Sequence, residues 1–351
     1  MIRVLIVEDS VTQREIFRRL LADDPELMVV AEARNGREAI EQVQKHSPDV
    51  VLMDIHMPDM DGITATAEIM QLCPVPIVIA SATLKKRDVD LAMKAYEAGA
   101  VSVIEKPEGA VLLHLKKMAP ELRRELIAAS KARVQRRPKP SDGPDGADRL
   151  VQSGQSAGSG GKLPAKNVSV IGVCASTGGP PILMKILAEI PKPFPIPILL
   201  VQHISRGFED GFARWLAVST GQSVEIAASG QRITPGTWIA PSGRHLAVSS
   251  ATRLELPRGI ESEIHCPSGN PLFESLAKHV GANAVGVQLT GMGDDGAQGL
   301  LRLKQAGSTT IIQNEASCMI WGMPKAAQQI GAGTYELDPD GIVAALTQLA
   351  K

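Results

Sequence analysis

The chain has 351 residues, 44% of them apolar, which is enough to build two domains with separate cores. Its 37 basic residues against 38 acidic ones leave a formal charge of -1, which argues against a nucleic-acid binder. The four cysteines, Cys73, Cys174, Cys266 and Cys318, have neither a C-x-x-C pair nor regular spacing, so neither a disulfide framework nor a zinc site is expected. The apolar run at residues 1–7 is too short for a signal core or a membrane span and runs straight into Glu8 and Asp9. A soluble cytoplasmic protein, with no membrane insertion, is therefore expected.

In chain order, short β-branched runs at 3–7, 28–33, 50–53, 77–80 and 101–104 alternate with helical periodicity at 11–21, 36–45, 62–71, 88–97 and about 110–132. That alternation predicts five strands and five helices in βαβ units, with a parallel sheet. From about 136 to 166 the composition turns to Pro, Gly, Ser, Asp and Gln without apolar periodicity, which reads as a flexible linker. Residues 167–351 alternate again: a strand at 168–173, an apolar run at 196–202, a hairpin through 246–256 and a run at 284–290. The expected architecture is α/β in two domains. The first is a flavodoxin-like (βα)5 unit over 1–125, joined by a helix end and linker over 126–166 to a doubly wound, mainly parallel sheet with an antiparallel hairpin over 167–351.

Glu8 and Asp9 end the first strand and Asp54 the third, so adjacency of those strands gathers three carboxylates in one cleft. An all-oxygen cluster suits Mg2+, and an ionised Asp54 beside the metal can attack a phosphoryl group. Ser81 after the fourth strand and Lys106 after the fifth add a hydroxyl and an ammonium to the same edge. In the second domain, Ser176 follows a buried strand in the turn Cys174-Ala175-Ser176-Thr177-Gly178-Gly179-Pro180. His203 ends the run 196–202, and Asp294 and Asp295 sit in the glycine-rich turn after 284–290. A serine needs a base and the base an orienting carboxylate, roles that Ser176, His203 and Asp295 can fill, with the Met292 N–H as an oxyanion donor. Ser176 to Gly179 could instead cap a helix or cradle a phosphate, and His203 could be a core-edge residue.

The segment from Leu52 through Asp54 and Pro58 to Gly62, with the acidic pair and Lys106-Pro107, looks like the receiver domain of bacterial response regulators. The resemblance implies that Asp54 accepts the phosphoryl group and that Glu8, Asp9, Asp54 and the backbone carbonyl of His56 hold Mg2+. Ser81 and Lys106 would report phosphorylation. Glu8-Asp9 stands where Asp-Asp is common.

The motifs at 175–180, 201–203, 239–246, 289–297 and 313–324 occur in the order found in chemotaxis receptor methylesterases of the CheB type, which the chain resembles over both domains. That resemblance implies a phosphorylation-activated carboxylic ester hydrolase acting on glutamate γ-methyl esters of methyl-accepting chemoreceptors, with deamidation of receptor glutamines as a second activity. Ser176 would be nucleophile, His203 base and acid, Asp295 its orienter, the Met292 amide an oxyanion donor and Thr177 an assistant; no cofactor is implied for the esterase. A chemotaxis histidine kinase would supply the phosphoryl group, and the receiver would cover the catalytic cleft until the region from its fourth strand to its fifth repacks. The rival readings are the same enzyme in another chemosensory pathway, a phosphate- or nucleotide-binding regulator, and a non-catalytic adaptor. Cys174 stands where glycine is frequent and Asn270 where aspartate is common, and His265 beside Cys266 reads as loop.

Overall fold

The computed structural model describes residues 1–81, 86–106, 112–136, 167–260 and 265–351, so the linker expected at 136–166 lies almost wholly outside the described residues. The first unit alternates β1 (Ile2–Val7), α1 (Val11–Ala22), β2 (Leu27–Ala33), α2 (Gly36–His46), β3 (Val50–Asp54), α3 (Gly62–Leu72), β4 (Ile77–Ser81), α4 (Lys86–Ala98), β5 (Ser102–Glu105) and α5 (Leu112–Ser130). Its strands pair in parallel in the order β2-β1-β3-β4-β5. All five residues of both β3 and β4 are buried, which is why these runs show no polar alternation: helices cover both faces of the sheet. Ser10, Asn35 and Asp61 start α1, α2 and α3 by accepting a hydrogen bond from the backbone N–H three residues on.

The second unit runs β6 (Val170–Ala175), α6 (Gly179–Glu189), β7 (Ile198–Gln202), α7 (Glu209–Thr220), β8 (Val224–Ile226), β9 (Thr237–Ile239), β10 (Ala247–Ser250) and β11 (Arg253–Glu255). It continues with α8 (Gly269–His279), β12 (Ala284–Gln288), α9 (Ala297–Gln305), β13 (Thr309–Gln313), α10 (Met323–Gln329), β14 (Tyr335–Leu337) and α11 (Pro339–Leu349). Seven strands form a sheet in the order β14-β13-β12-β6-β7-β9-β8, and every pairing in it is parallel. β10 and β11 form the antiparallel hairpin. The chain builds outward from β6 in both directions, so the switch point lies between β6 and β12, where open α/β sheets open a crevice at their carboxyl ends.

The two units touch. α4 packs against α7, where Trp215 Nε1 donates to Glu97 at 2.8 Å and Arg214 reaches Asp90 at 3.4 Å. β5 is an edge strand of its sheet, and the carbonyls on either side of its start are met from the other unit: Val101 by the N–H of Gly178 and Val103 by Ser205 Oγ, both at 3.4 Å. After α5, the Arg133 N–H donates to the Met319 carbonyl at 2.9 Å. Among the described residues no helix is long and apolar enough to cross a membrane.

Candidate active site and phosphorylation site

At the carboxyl ends of β1 and β3, Glu8 and Asp54 are buried and Asp9 is exposed. A carboxylate oxygen from each lies within 4.8 Å of the other two. Lys106 Nζ sits 2.7 Å from both Glu8 Oε2 and Asp54 Oδ1, a single cation shared by two buried acids. Burial, then the charge of Asp54, pushes the Glu8 carboxyl above its ordinary value, against the pull of Lys106. Ser81 is buried at the end of β4, and its Oγ has no partner among the described residues. His56 follows Asp54 by two residues and carries an exposed side chain. Gly62 keeps this corner closed: a Cβ there would lie 1.8 Å from the Asp54 carbonyl oxygen, and its N–H donates to the Ile55 carbonyl at 2.9 Å. An all-oxygen donor set, partly buried and open to solvent at Asp9, fits a hard divalent cation.

At the second site, Ser176 is the first residue after β6 and is 7% exposed, with its N–H on the Thr290 carbonyl at 3.0 Å. His203 follows β7, the strand next to β6, and its Nε2 lies 2.8 Å from Asp295 Oδ2. Asp294 is exposed while Asp295 is 5% exposed, which separates the two acids of the turn. Asp295 also accepts from the Gly269 N–H at 2.7 Å, Ser268 Oγ at 2.5 Å and Asn270 Nδ2 at 3.3 Å. Burial raises the cost of its charge, but His203 and these donors outweigh it and hold the carboxyl well below its ordinary value.

With Nε2 engaged, His203 Nδ1 is buried and has no partner among the described residues. It is the nitrogen left to take a proton. Among the described residues Ser176 Oγ makes no hydrogen bond to it, so the His–Asp half of the constellation is assembled and the Ser–His half is not, as in many unliganded sites. Gly291 brings the turn after β12 onto the nucleophile: a Cβ there would lie 2.6 Å from Ser176 Cβ. Met292 is part-buried in the same turn, and its N–H donates to none of the described residues. Thr177 is buried; its carbonyl accepts from Thr290 Oγ1 at 3.2 Å. Three of the four N–H groups that a phosphate cradle at 176–179 would use already have partners: Ser176 and Gly178 as given, and Gly179 on the Ser176 carbonyl at 2.8 Å.

Several residues of this site escape a reading of the sequence. Gln202 Nε2 bridges the Ser176 and His203 carbonyls at 2.9 and 2.8 Å, tying the ends of β6 and β7 together. Ser268 and Gly269, at the start of α8, hold Asp295 from 27 and 26 positions away in sequence. His265 stacks flat on His203, ring centroids 4.3 Å apart and planes 3° apart. The nearest signal for these was the polar string 265–270 ahead of a helix, which reads equally well as a cap. Cys174 Sγ lies 3.9 Å from Asp295 Oδ2, and burial and that charge raise its thiol above the ordinary value, which disfavours a thiolate there. The site opens into a cleft of about 310 Å³ between the two units, lined among others by Tyr96, Glu121 and Arg124 from the first and His203, Ser242 and His265 from the second.

The family model for the CheB methylesterase matches residues 171–346 and that for the response regulator receiver domain matches residues 4–116. A protein-glutamate methylesterase/protein-glutamine glutaminase of Geobacter metallireducens is 40% identical over 352 residues, 100% of this chain and 99% of that protein. One of Anaeromyxobacter dehalogenans is 42% identical over 97% of each. The crystal structure of the Thermotoga maritima CheB methylesterase catalytic domain aligns over 52% of this chain and 100% of its own, at 30% identity and a TM-score of 0.50. With its parallel sheets, its Ser176, His203 and Asp295 at one crevice and its acidic cluster at another, the chain belongs to the CheB methylesterase family, with an amino-terminal response regulator receiver domain.

Proposed function

We propose that the protein hydrolyses γ-methyl esters of glutamate side chains on the cytoplasmic helices of methyl-accepting chemoreceptors, under control of phosphorylation at Asp54. The observation that carries this reading is the 2.8 Å contact between His203 Nε2 and Asp295, with Nδ1 left unspent at the end of β7, the strand paired with the one that delivers Ser176. His203 Nδ1 takes the Ser176 hydroxyl proton as Oγ bonds to the ester carbon, and the carbonyl oxygen gains negative charge opposite the Met292 N–H. The tetrahedral adduct collapses, the C–O bond to the methoxy group breaks, and His203 returns the proton to release methanol. His203 then deprotonates a water that attacks the acyl-serine, and the serine leaves with that proton. A receptor glutamine forms the analogous adduct with an amino group in place of methoxy, takes the proton from His203 as ammonia leaves, and gives the same acyl-serine. Thr177 steadies the turn beside the nucleophile.

In the receiver, Asp54 attacks a phosphoryl donor supplied by a chemotaxis histidine kinase. Glu8, Asp9 and Asp54, with the His56 backbone carbonyl, would hold Mg2+, which when bound neutralises charge on the phosphoryl oxygens. Ser81, whose hydroxyl is unspent, and Lys106 turn toward the new phosphoryl oxygens. The receiver, proposed to span 1–125, covers the catalytic cleft of 167–351 across the linker until then, in a soluble cytoplasmic protein. The test is methanol release from radiomethylated receptor cytoplasmic domains, with and without a small acyl phosphate and Mg2+. Stimulated release by the wild type and none by Ser176→Ala supports the reading; release by Ser176→Ala at the wild-type rate ends it.

A further inference from the structure

We propose that His265 is a positioning residue for the esterase reaction: its ring, laid flat on His203, holds that imidazole in the plane from which Nδ1 can take the proton of Ser176. The inference rests on the catalytic roles given above to Ser176, His203 and Asp295.

Asp295 fixes His203 by one hydrogen bond at Nε2, and Nδ1 has no partner among the described residues. One bond at one edge leaves the ring free to tilt about that contact, and small misplacements of a reacting atom cost large factors in rate. The missing restraint is a face, and His265 provides it at 4.3 Å and 3°. The segment that carries His265 also carries Ser268, Gly269 and Asn270, three donors on Asp295. A single stretch of chain leading into α8 therefore orients both members of the His–Asp pair, and the Ser268 N–H is itself held on His245 Nδ1 at 3.2 Å.

A stacked partner serves this purpose only while it is uncharged, because His203 must become an imidazolium during each turnover. Burial, followed by the proximity of His203, lowers His265 to about 4, with Asp295 opposing the shift and Arg124 adding to it. The other charged groups lining the cleft are Glu121, Glu125 and Arg206. His265 is thus a flat, half-buried wall whose surroundings disfavour its own protonation.

The experiment measures methanol release by the full chain with a small acyl phosphate and Mg2+, for wild type, His265→Ala, His265→Phe and Ser176→Ala. The rates of the three proteins that keep Ser176 are expressed per active site titrated with a serine-directed phosphonate, and that of Ser176→Ala per mole of protein shown to be folded by circular dichroism, so that misfolded protein is not counted. His265→Ala is expected to lose about 10- to 100-fold in kcat with KM little changed. His265→Phe restores the flat face without a ring nitrogen and is expected to recover most of kcat. Wild-type kcat in His265→Ala overturns the proposal. So does a Phe variant as slow as Ala, which would mean that the nitrogens of His265 act. Undiminished release by Ser176→Ala would instead sink the catalytic reading itself, whatever His265 does.

Discussion

Trp215 of the catalytic unit donates its indole N–H to the Glu97 carboxylate of the receiver at 2.8 Å, across the α4–α7 contact that flanks the cleft. The bond is exposed, so it contributes about 1 kcal/mol to the closed arrangement. In Trp215→Phe, methanol release without phosphodonor is expected to rise about fivefold, with the phosphorylated rate unchanged. Equal basal rates would show that this contact does not hold the cleft shut.

Asp295 links pH to the stability of the catalytic unit. Its carboxyl is held below its ordinary value by His203, Gly269 and Ser268 against the opposing effect of burial. Stabilisation from a depressed carboxylate is complete above the unfolded-state value of about 4 and is lost as the pH falls through the folded-state value. Urea midpoints of wild type and Asp295→Asn should therefore differ near neutrality and converge below about pH 4. Activity of the same variant should fall by at least about 10³-fold, because an amide cannot hold His203 in the required tautomer.

Gly62→Ala tests the corner beneath the acidic cluster. The added Cβ would lie 1.8 Å from a backbone oxygen of Asp54, which no rotamer change relieves. Acyl-phosphate labelling of Asp54 is expected to be lost, with destabilisation of more than about 3 kcal/mol in denaturant titrations. Normal labelling would mean that α3 can shift freely against β3.

Cys174→Ala tests whether the buried thiol takes part in the chemistry. The thiol is held protonated against Asp295, so methanol release should stay within about threefold of wild type, at a stability cost of about 1 kcal/mol. A loss comparable to that of Ser176→Ala would make sulfur the nucleophile.

Strands were legible where apolar runs are unbroken and end in chemistry: the run 50–53 becomes β3 (Val50–Asp54), and 284–290 contains β12 (Ala284–Gln288). The three-residue strands β8 and β14 carry too few positions to show a period, and neither was anticipated. The positions of Ser176 and His203 at the ends of the neighbouring strands β6 and β7 could be read because each directly follows such a run. Gln202, Ser268 and His265 could not be read that way. Their contacts depend on where a turn lands after the sheet has formed, and His265 read as ordinary loop until its ring was found on that of His203.

The 3.4 Å contacts on Val101 and Val103 have a consequence for the active form. Alternate carbonyls along the outer strand of a sheet are an invitation to another strand, and here Gly178 and Ser205 cover them. Were phosphorylation to swing the receiver aside as proposed above, that cover would be stripped and the strand border bared to an extended peptide or a second molecule, so self-association should be sought only after phosphorylation.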